Sequence, residues 1–226
     1  MFIHGSGNGG WCWDKVTPLL TQAGHEVIAP DLPGHGNDKT PVREVTLQSC
    51  VDHVVQILDT QLKPVILVGH STGGLLITQT AEQRPGMVKA LVYLSAFLLQ
   101  NGERCVDMHD PESLARENLV LSNDGGNERV KEMFYSDCSD KDIAWAQSLL
   151  VPAPLQIAFT PVATSENNFG RIPRYYIECL RDQAITHSCQ RRMYTALPCK
   201  HVFTLDTSHS PFLSAPQALV DHLLAI

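Results

Sequence analysis

A chain of 226 residues, 43% hydrophobic and 18% charged, is long enough for one well-packed α/β domain and has the composition of a soluble globular enzyme. Its net charge of −7 and pI near 5.7 argue against nucleic acid or an anionic membrane as partner, and no apolar run reaches membrane-spanning or signal-peptide form. Seven cysteines, with no C-x-x-C pair and none beside a histidine at metal-ligand spacing, fit free thiols in a reducing compartment, so a cytoplasmic location and no bound metal are expected.

The chain opens with Phe2 and Ile3, a strand end that runs into the glycine-rich loop His4-Gly5-Ser6-Gly7-Asn8-Gly9-Gly10-Trp11. No Lys-Ser/Thr follows at phosphate-loop spacing, and the glycines are not spaced as a dinucleotide fingerprint. Trp11 to Ala23 carries apolar residues at helical spacing and closes on Gly24, and His25 to Ala29 reads as a second strand. In the turn Asp31-Leu32-Pro33-Gly34-His35-Gly36, Pro and Gly set the backbone and Asp caps it, so Asp31 and His35 take structural roles. Thr46 to Leu62 is an amphipathic helix with Leu47, Val51, Val54, Leu58 and Leu62 on one face.

Pro64 to Gly74 is the stretch around which the rest is organised. Val65-Ile66-Leu67-Val68 reads as a strand buried on both faces; it breaks at Gly69-His70-Ser71-Thr72-Gly73, and a helical pattern follows to about Arg84. A G-x-S-x-G between a buried strand and a helix holds its serine on a tight turn, where Gly69, Gly73 and Gly74 remove Cβ atoms that would collide with it. Because the helix starts at the hydroxyl, free N–H groups and the positive end of the helix dipole surround the reacting atom. Ser71 is therefore the candidate nucleophile. Val88 to Ser95 is a further buried strand, and the alternation of strands and helices this far requires a parallel sheet with right-handed crossovers.

From Phe97 to Gly170 that alternation fails. Short amphipathic pieces, a turn at Asn123-Asp124-Gly125-Gly126 and clustered Pro152, Pro154 and Pro161 predict a helical cap inserted over the active site, since a structureless loop of that length does not suit a compact domain. Phe97, Trp145, Leu149, Leu150 and Phe159 are candidates to line an apolar pocket beneath it, or equally to form the cap's own small core. The sheet resumes at Pro173 to Cys179. A helix covers Ser188 to Ala196, a strand His201 to Leu205, and the last helix, Pro216 to Ile226, starts on proline. The whole predicts an α/β fold of about six mostly parallel strands flanked by helices. Residues 1–96 and 171–226 form its core, with 97–170 inserted as the cap of a single domain.

A serine hydroxyl is a poor nucleophile until a base takes its proton, and that base needs a group to orient it. Behind an elbow of this kind the order is Ser, acid, His, each on a loop at the C-terminal edge of the sheet. Among ten histidines, His209 is the one that follows the last predicted strand and precedes the last helix, which makes it the candidate base. Asp182, just after the penultimate strand, is the candidate acid, and Asp206, three residues before His209, is its rival. The His70 side chain is expected to point away from the hydroxyl, and His187 and His201 fit capping or surface positions. The backbone amides of Ser6 and Thr72 are the candidate oxyanion-hole donors.

With these residues placed, the chain resembles the plant methylesterase and hydroxynitrile lyase branch of the α/β-hydrolases, to which bacterial carboxylesterases of similar sequence also belong. The likeness rests on the H-G-x-x-x-G-G-W opening, G-H-S-x-G-G at Gly69 to Gly74, and Y-L-S-A-F at Tyr93 to Phe97. It continues through F-Y-S-D-C-S at Phe134 to Ser139, the I-P-R-Y-Y-I-E-C-x-x-D-x-A-I segment ending at Ile185, and the closing S-H-S-P-F. The resemblance implies a cap over a mostly apolar pocket, a small-molecule ester as substrate, and no metal or organic cofactor; a homodimer is a further expectation. Lyase members carry threonine where this chain has Gly5 and lysine where it has Ser210, so a serine carboxylesterase acting on small to medium esters is expected ahead of a hydroxynitrile lyase or a ligand receptor on the same fold. Two departures stand out. The family's D-H appears here as Ser208-His209, and only three residues precede His4-Gly5, so a shortened first strand is expected.

Overall fold

The computed structural model describes residues 1–108 and 126–226, so Asn123 to Gly125 of the predicted turn lie outside the described residues and Gly126 begins a helix. Five strands pair in parallel and in chain order: β1 (Phe2–Ile3), β2 (Val65–Ser71), β3 (Val88–Ala96), β4 (Arg174–Cys179) and β5 (His201–Leu205). Alternate residues of each central strand face opposite layers, as the pleat demands. Leu67, Leu91 and Tyr93 pack into one apolar cluster, and Val68, Val92 and Leu94 into the other.

The expectation of about six strands is corrected to five among the described residues, because His25 to Ala29 is not a strand. Phe2 N–H donates to Ile28 O at 2.7 Å, but β1 offers only two residues of edge and cannot support a longer ladder. The helix expected over Trp11 to Ala23 is likewise split into a 3₁₀ turn (Gly10–Trp13) and α1 (Thr17–Gln22). Pro18 lacks the N–H needed to continue a helix from that turn, and its ring suits a first turn instead.

Helix α2 (Leu47–Leu58) packs its apolar face on α3 (Gly73–Gln83), and both cover the first layer. Thr46 starts α2 with a reciprocal box: Ser49 N–H donates to Thr46 Oγ1 at 3.0 Å and Thr46 N–H to Ser49 Oγ at 2.9 Å. The helix ends at Leu58, four residues short of the expected Leu62, whose side chain is 99% exposed.

Between β3 and β4 the described chain is helical: α4 (Gly126–Phe134), α5 (Asp140–Leu149) and α6 (Gln156–Phe159). Its return to the sheet is pinned by Glu82 on α3, which accepts Ser165 N–H (2.9 Å), Ser165 O–H (2.7 Å), Asn168 Nδ2–H (3.0 Å) and Phe169 N–H (3.1 Å). Burial works to raise the Glu82 carboxyl, but these four donors outweigh it and hold it below the usual carboxylate range. The chain then adds α7 (His187–Ala196), α8 (Pro211–Ser214) and α9 (Pro216–Leu224). No described helix is long and apolar enough to cross a membrane.

Candidate active site

Strand β2 ends on Ser71 with φ +54°, a backbone conformation that a non-glycine residue holds only where its surroundings over-determine it. Helix α3 starts two residues later, and backbone fills the space around the turn. A Cβ on Gly69 would lie 2.7 Å from Gly73 O, one on Gly73 2.6 Å from Ile3 O, and one on Gly5 2.8 Å from the Ser71 Cβ itself. Ser95, at the end of neighbouring β3, is the other non-glycine residue with positive φ among those described, at +37°. Its hydroxyl donates to Asp182 Oδ2.

Asp182 stands on the loop after β4 and is 3% exposed. Oδ1 accepts two backbone N–H groups, Ala184 at 2.7 Å and Ile185 at 2.9 Å, while Oδ2 accepts His209 Nδ1–H at 2.6 Å as well as the Ser95 hydroxyl. The loop is braced from behind by buried Gln190. Its Oε1 accepts Cys179 N–H at 3.0 Å, and its Nε2 donates to Cys179 O at 3.0 Å and Ile185 O at 2.7 Å. The rival Asp206 points to solvent, 77% exposed, and pairs with Arg181 Nε at 3.0 Å.

His209 is buried on the loop after β5, its ring 4.5 Å from that of His70 and 5.5 Å from Phe134. His70 is not idle in the elbow, because its Nε2 lies 2.9 Å from His209 O. Burial, reinforced by His209, holds His70 well below the ordinary histidine range. Neutral His70 must therefore carry its proton on Nε2 to donate to that carbonyl. His4 is a second buried histidine, pushed down to about 3 by burial and by His35. Its Nδ1 donates to Gly5 O at 2.8 Å and its Nε2 accepts Leu32 N–H at 3.2 Å, which ties the glycine-rich loop to the Asp31 turn. Asp31 accepts Gly10 N–H (2.7 Å) and Asn37 N–H (2.9 Å), in keeping with a structural turn.

Ser6 and Thr72 are brought together, though not with both amides free. Ser6 N–H donates to Thr72 Oγ1 at 2.8 Å, and the two hydroxyl oxygens lie 3.0 Å apart. The five pocket candidates are not gathered into one lining, and Leu150 packs in the same layer as Trp145. Phe97 is fully buried in the layer that holds α2 and α3, whereas Trp145 packs in the opposite layer, edge-on to Trp11 at 5.2 Å. Leu149 and Phe159 are exposed. Apolar character alone had grouped these residues, and it does not tell which side of a sheet a residue serves. Sequence reasoning gives no site role to Ser95, Phe134 and Asp137, which it meets only within the quoted motifs, and does not single out Gln190. Ser95 closes a buried strand beside the elbow strand, and Phe134 and Asp137 stand in the F-Y-S-D-C-S motif; Gln190 carries no local signal.

A parallel sheet with a serine on a strand-to-helix elbow, and an Asp–His pair on the loops after the last two strands, β4 and β5, defines the α/β-hydrolase class. Residues 1–222 match the alpha/beta hydrolase family, and the chain belongs to it. It is 32% identical over 245 residues to putative methylesterase 11, chloroplastic, of Arabidopsis thaliana, covering 100% of this chain and 63% of that protein. It is 31% identical over 250 residues to Methylesterase 2 of the same plant, covering 100% and 94%. The chain thus spans less than two thirds of the first of these relatives. The crystal structure of an Arabidopsis methylesterase superposes with a TM-score of 0.86 at 26% identity, over 99% of this chain and 96% of that one.

Proposed function

We propose that this protein is a serine carboxylesterase working through Ser71, His209 and Asp182. The observation that carries the reading is the 2.6 Å bond from His209 to Asp182 at the sheet edge where Ser71 occupies its strained turn. A carboxylate has only acceptors, so Asp182 keeps the proton on His209 Nδ1 and leaves Nε2 to take the one from Ser71. Ser71 then attacks an ester carbonyl. The Thr72 amide and the Ser6 amide, the latter once the Thr72 hydroxyl releases it, take up the negative charge on oxygen. His209 passes its proton to the departing alcohol, and water repeats the sequence to free the acid.

The methylesterase names of the relatives support a small alcohol part, and the described helices between β3 and β4 serve as the cap over an apolar acyl or aryl part. Hydroxynitrile cleavage fits less well. A threonine in place of Gly5 has no room, since even its Cβ would meet that of Ser71 at 2.8 Å, and buried Ser210 supplies no charge for a leaving cyanide. The test is a panel of methyl and p-nitrophenyl esters of short to long acids, run on wild type and Ser71→Ala beside mandelonitrile. Turnover of at least about 1 per second on one ester, lost in Ser71→Ala, is the expected result. Undiminished ester cleavage in the variant, or mandelonitrile cleavage exceeding ester hydrolysis in wild type, overturns the reading.

A further inference from the structure

Among the described residues, the stretch 134–137 carries the cap's contacts with the loops that hold His209 and Asp182, while Val151 N–H separately donates to Gly7 O at 2.9 Å. The Phe134 ring faces His209, and Tyr135 O–H donates to Asn8 Oδ1 at 3.5 Å in the glycine-rich loop. Asp137, between α4 and α5, reaches furthest. Its Oδ2 accepts Ser208 N–H at 2.8 Å and its Oδ1 accepts the Ser208 hydroxyl. The same Oδ2 lies 3.5 Å from Arg181 Nη2. Ser208 is the residue before His209, and Arg181 is the residue before Asp182. One carboxylate on the cap therefore grips the chain immediately upstream of both the base and the acid.

Solvent competes weakly for these bonds. The Asp137 side chain is 12% exposed and Ser208 is fully buried. A carboxylate also suits the task chemically, since it has acceptors enough for both Ser208 donors and a charge for Arg181. We infer that Asp137 is a positioning residue for the acid–base pair, a role that rests on the esterase reading above. Seating the turn at Asp137 fixes the backbone entering His209, and with it the angle at which the imidazole faces Ser71. Asp137 touches no reacting atom. It makes turnover conditional on the cap being seated.

The test compares Asp137→Ala, Asp137→Asn and Ser208→Ala with wild type on a p-nitrophenyl ester. It reads kcat and KM, the rate of Ser71 labelling by a fluorophosphonate, and Tm, with Ser71→Ala and His209→Ala alongside. Asparagine keeps an acceptor for Ser208 N–H and offers an N–H to the Ser208 oxygen, so it restores the geometry without the charge. Misplacing a reacting group by about 1 Å can cost on the order of a hundredfold, so kcat in Asp137→Ala should fall at least about tenfold with KM within about threefold. Labelling should slow in proportion, and Asp137→Asn should recover most of the loss.

A fall in kcat of less than about tenfold, a loss carried by KM alone, or equal losses in the alanine and asparagine variants overturns the clamp. Any of those results leaves the esterase reading standing as long as Ser71→Ala and His209→Ala are inactive. Activity surviving in those two variants overturns the esterase reading itself. Should Asp137→Ala fail to fold, Ser208→Asp, which sets two carboxylates face to face, must lose more kcat than Ser208→Ala. The reverse order overturns the clamp.

Discussion

Asp182→Asn exchanges one oxygen for a nitrogen and is expected to lower turnover about ten-thousandfold. Oδ1 of Asp182 accepts the Ala184 and Ile185 N–H groups at 2.7 and 2.9 Å, and backbone donors cannot turn into acceptors. An asparagine must therefore keep its carbonyl oxygen there and direct its NH₂ toward Ser95 Oγ and His209 Nδ1. The serine hydroxyl can rotate and accept. The imidazole can accept only by carrying its proton on Nε2, where it can no longer take one from Ser71. The same acid-to-amide change in a serine protease triad lowers kcat by about 10⁴ for this reason, equivalent to about 5.4 kcal/mol of transition-state stabilisation. Steady-state hydrolysis of a p-nitrophenyl ester between pH 7 and 9, with Tm recorded to confirm folding, is the assay. Asp206→Asn is its control: that carboxylate is exposed on Arg181, so activity should stay within about threefold. The reasoning fails if Asp182→Asn keeps more than a tenth of wild-type kcat, or if Asp206→Asn falls as far.

Thr72→Val keeps a branched side chain but removes the oxygen that holds Ser6 N–H. Freeing that amide should raise kcat/KM by roughly two- to tenfold, the worth of one ordinary hydrogen bond, and a fall would mean that the hydroxyl itself donates during the reaction. Acid should destabilise the fold early. Burial first, then their neighbours, hold His4 down to about 3 and His70 well below the usual value, so below pH 6.5 the unfolded chain binds protons that the folded one refuses. Stability from these two histidines is complete above pH 6.5 and is lost as pH falls toward 3. The loss amounts to roughly 2–3 kcal/mol between pH 7 and 5.5, which a Tm unchanged across that interval would contradict. Glu82→Ala removes four hydrogen bonds that tie 165–169 to α3, at a cost of about 2 kcal/mol and a Tm lower by roughly 4–8 °C, read by thermal denaturation at pH 7.

The positions of Ser71 and His209 at the sheet edge were legible because each sits in a local pattern, a glycine-framed bend after an apolar run and a loop after the last strand. The place of Asp182 after the penultimate strand was legible from chain order, while what separates it from Asp206, a buried bond to His209 against an exposed pairing with Arg181, is visible only in the structure. The partners that hold these groups were not legible. Ser95 meets Asp182 across 87 residues and Asp137 meets Ser208 across 71, and no periodicity links such positions. The strand missing at His25 to Ala29 has a related cause. Its pattern is strand-like, but pairing depends on an edge only two residues long. Apolar residues between 97 and 170 misled for want of a face: hydrophobicity places a side chain away from water without saying in which of two layers.

The glycines around the elbow fix more than one turn. Gly73 abuts the carbonyls of Ile3 and His4, while Gly74 is pressed on Phe97 O at the far side, so α3 is wedged between the ends of β1 and β3. A methyl at either position meets backbone, which has no rotamer to yield. The Ser71 hydroxyl, the proposed nucleophile, is consequently held at a fixed point of the scaffold. On the esterase reading proposed above, divergence in the ester accepted falls to side chains outside this turn, whose exchange leaves the bend intact.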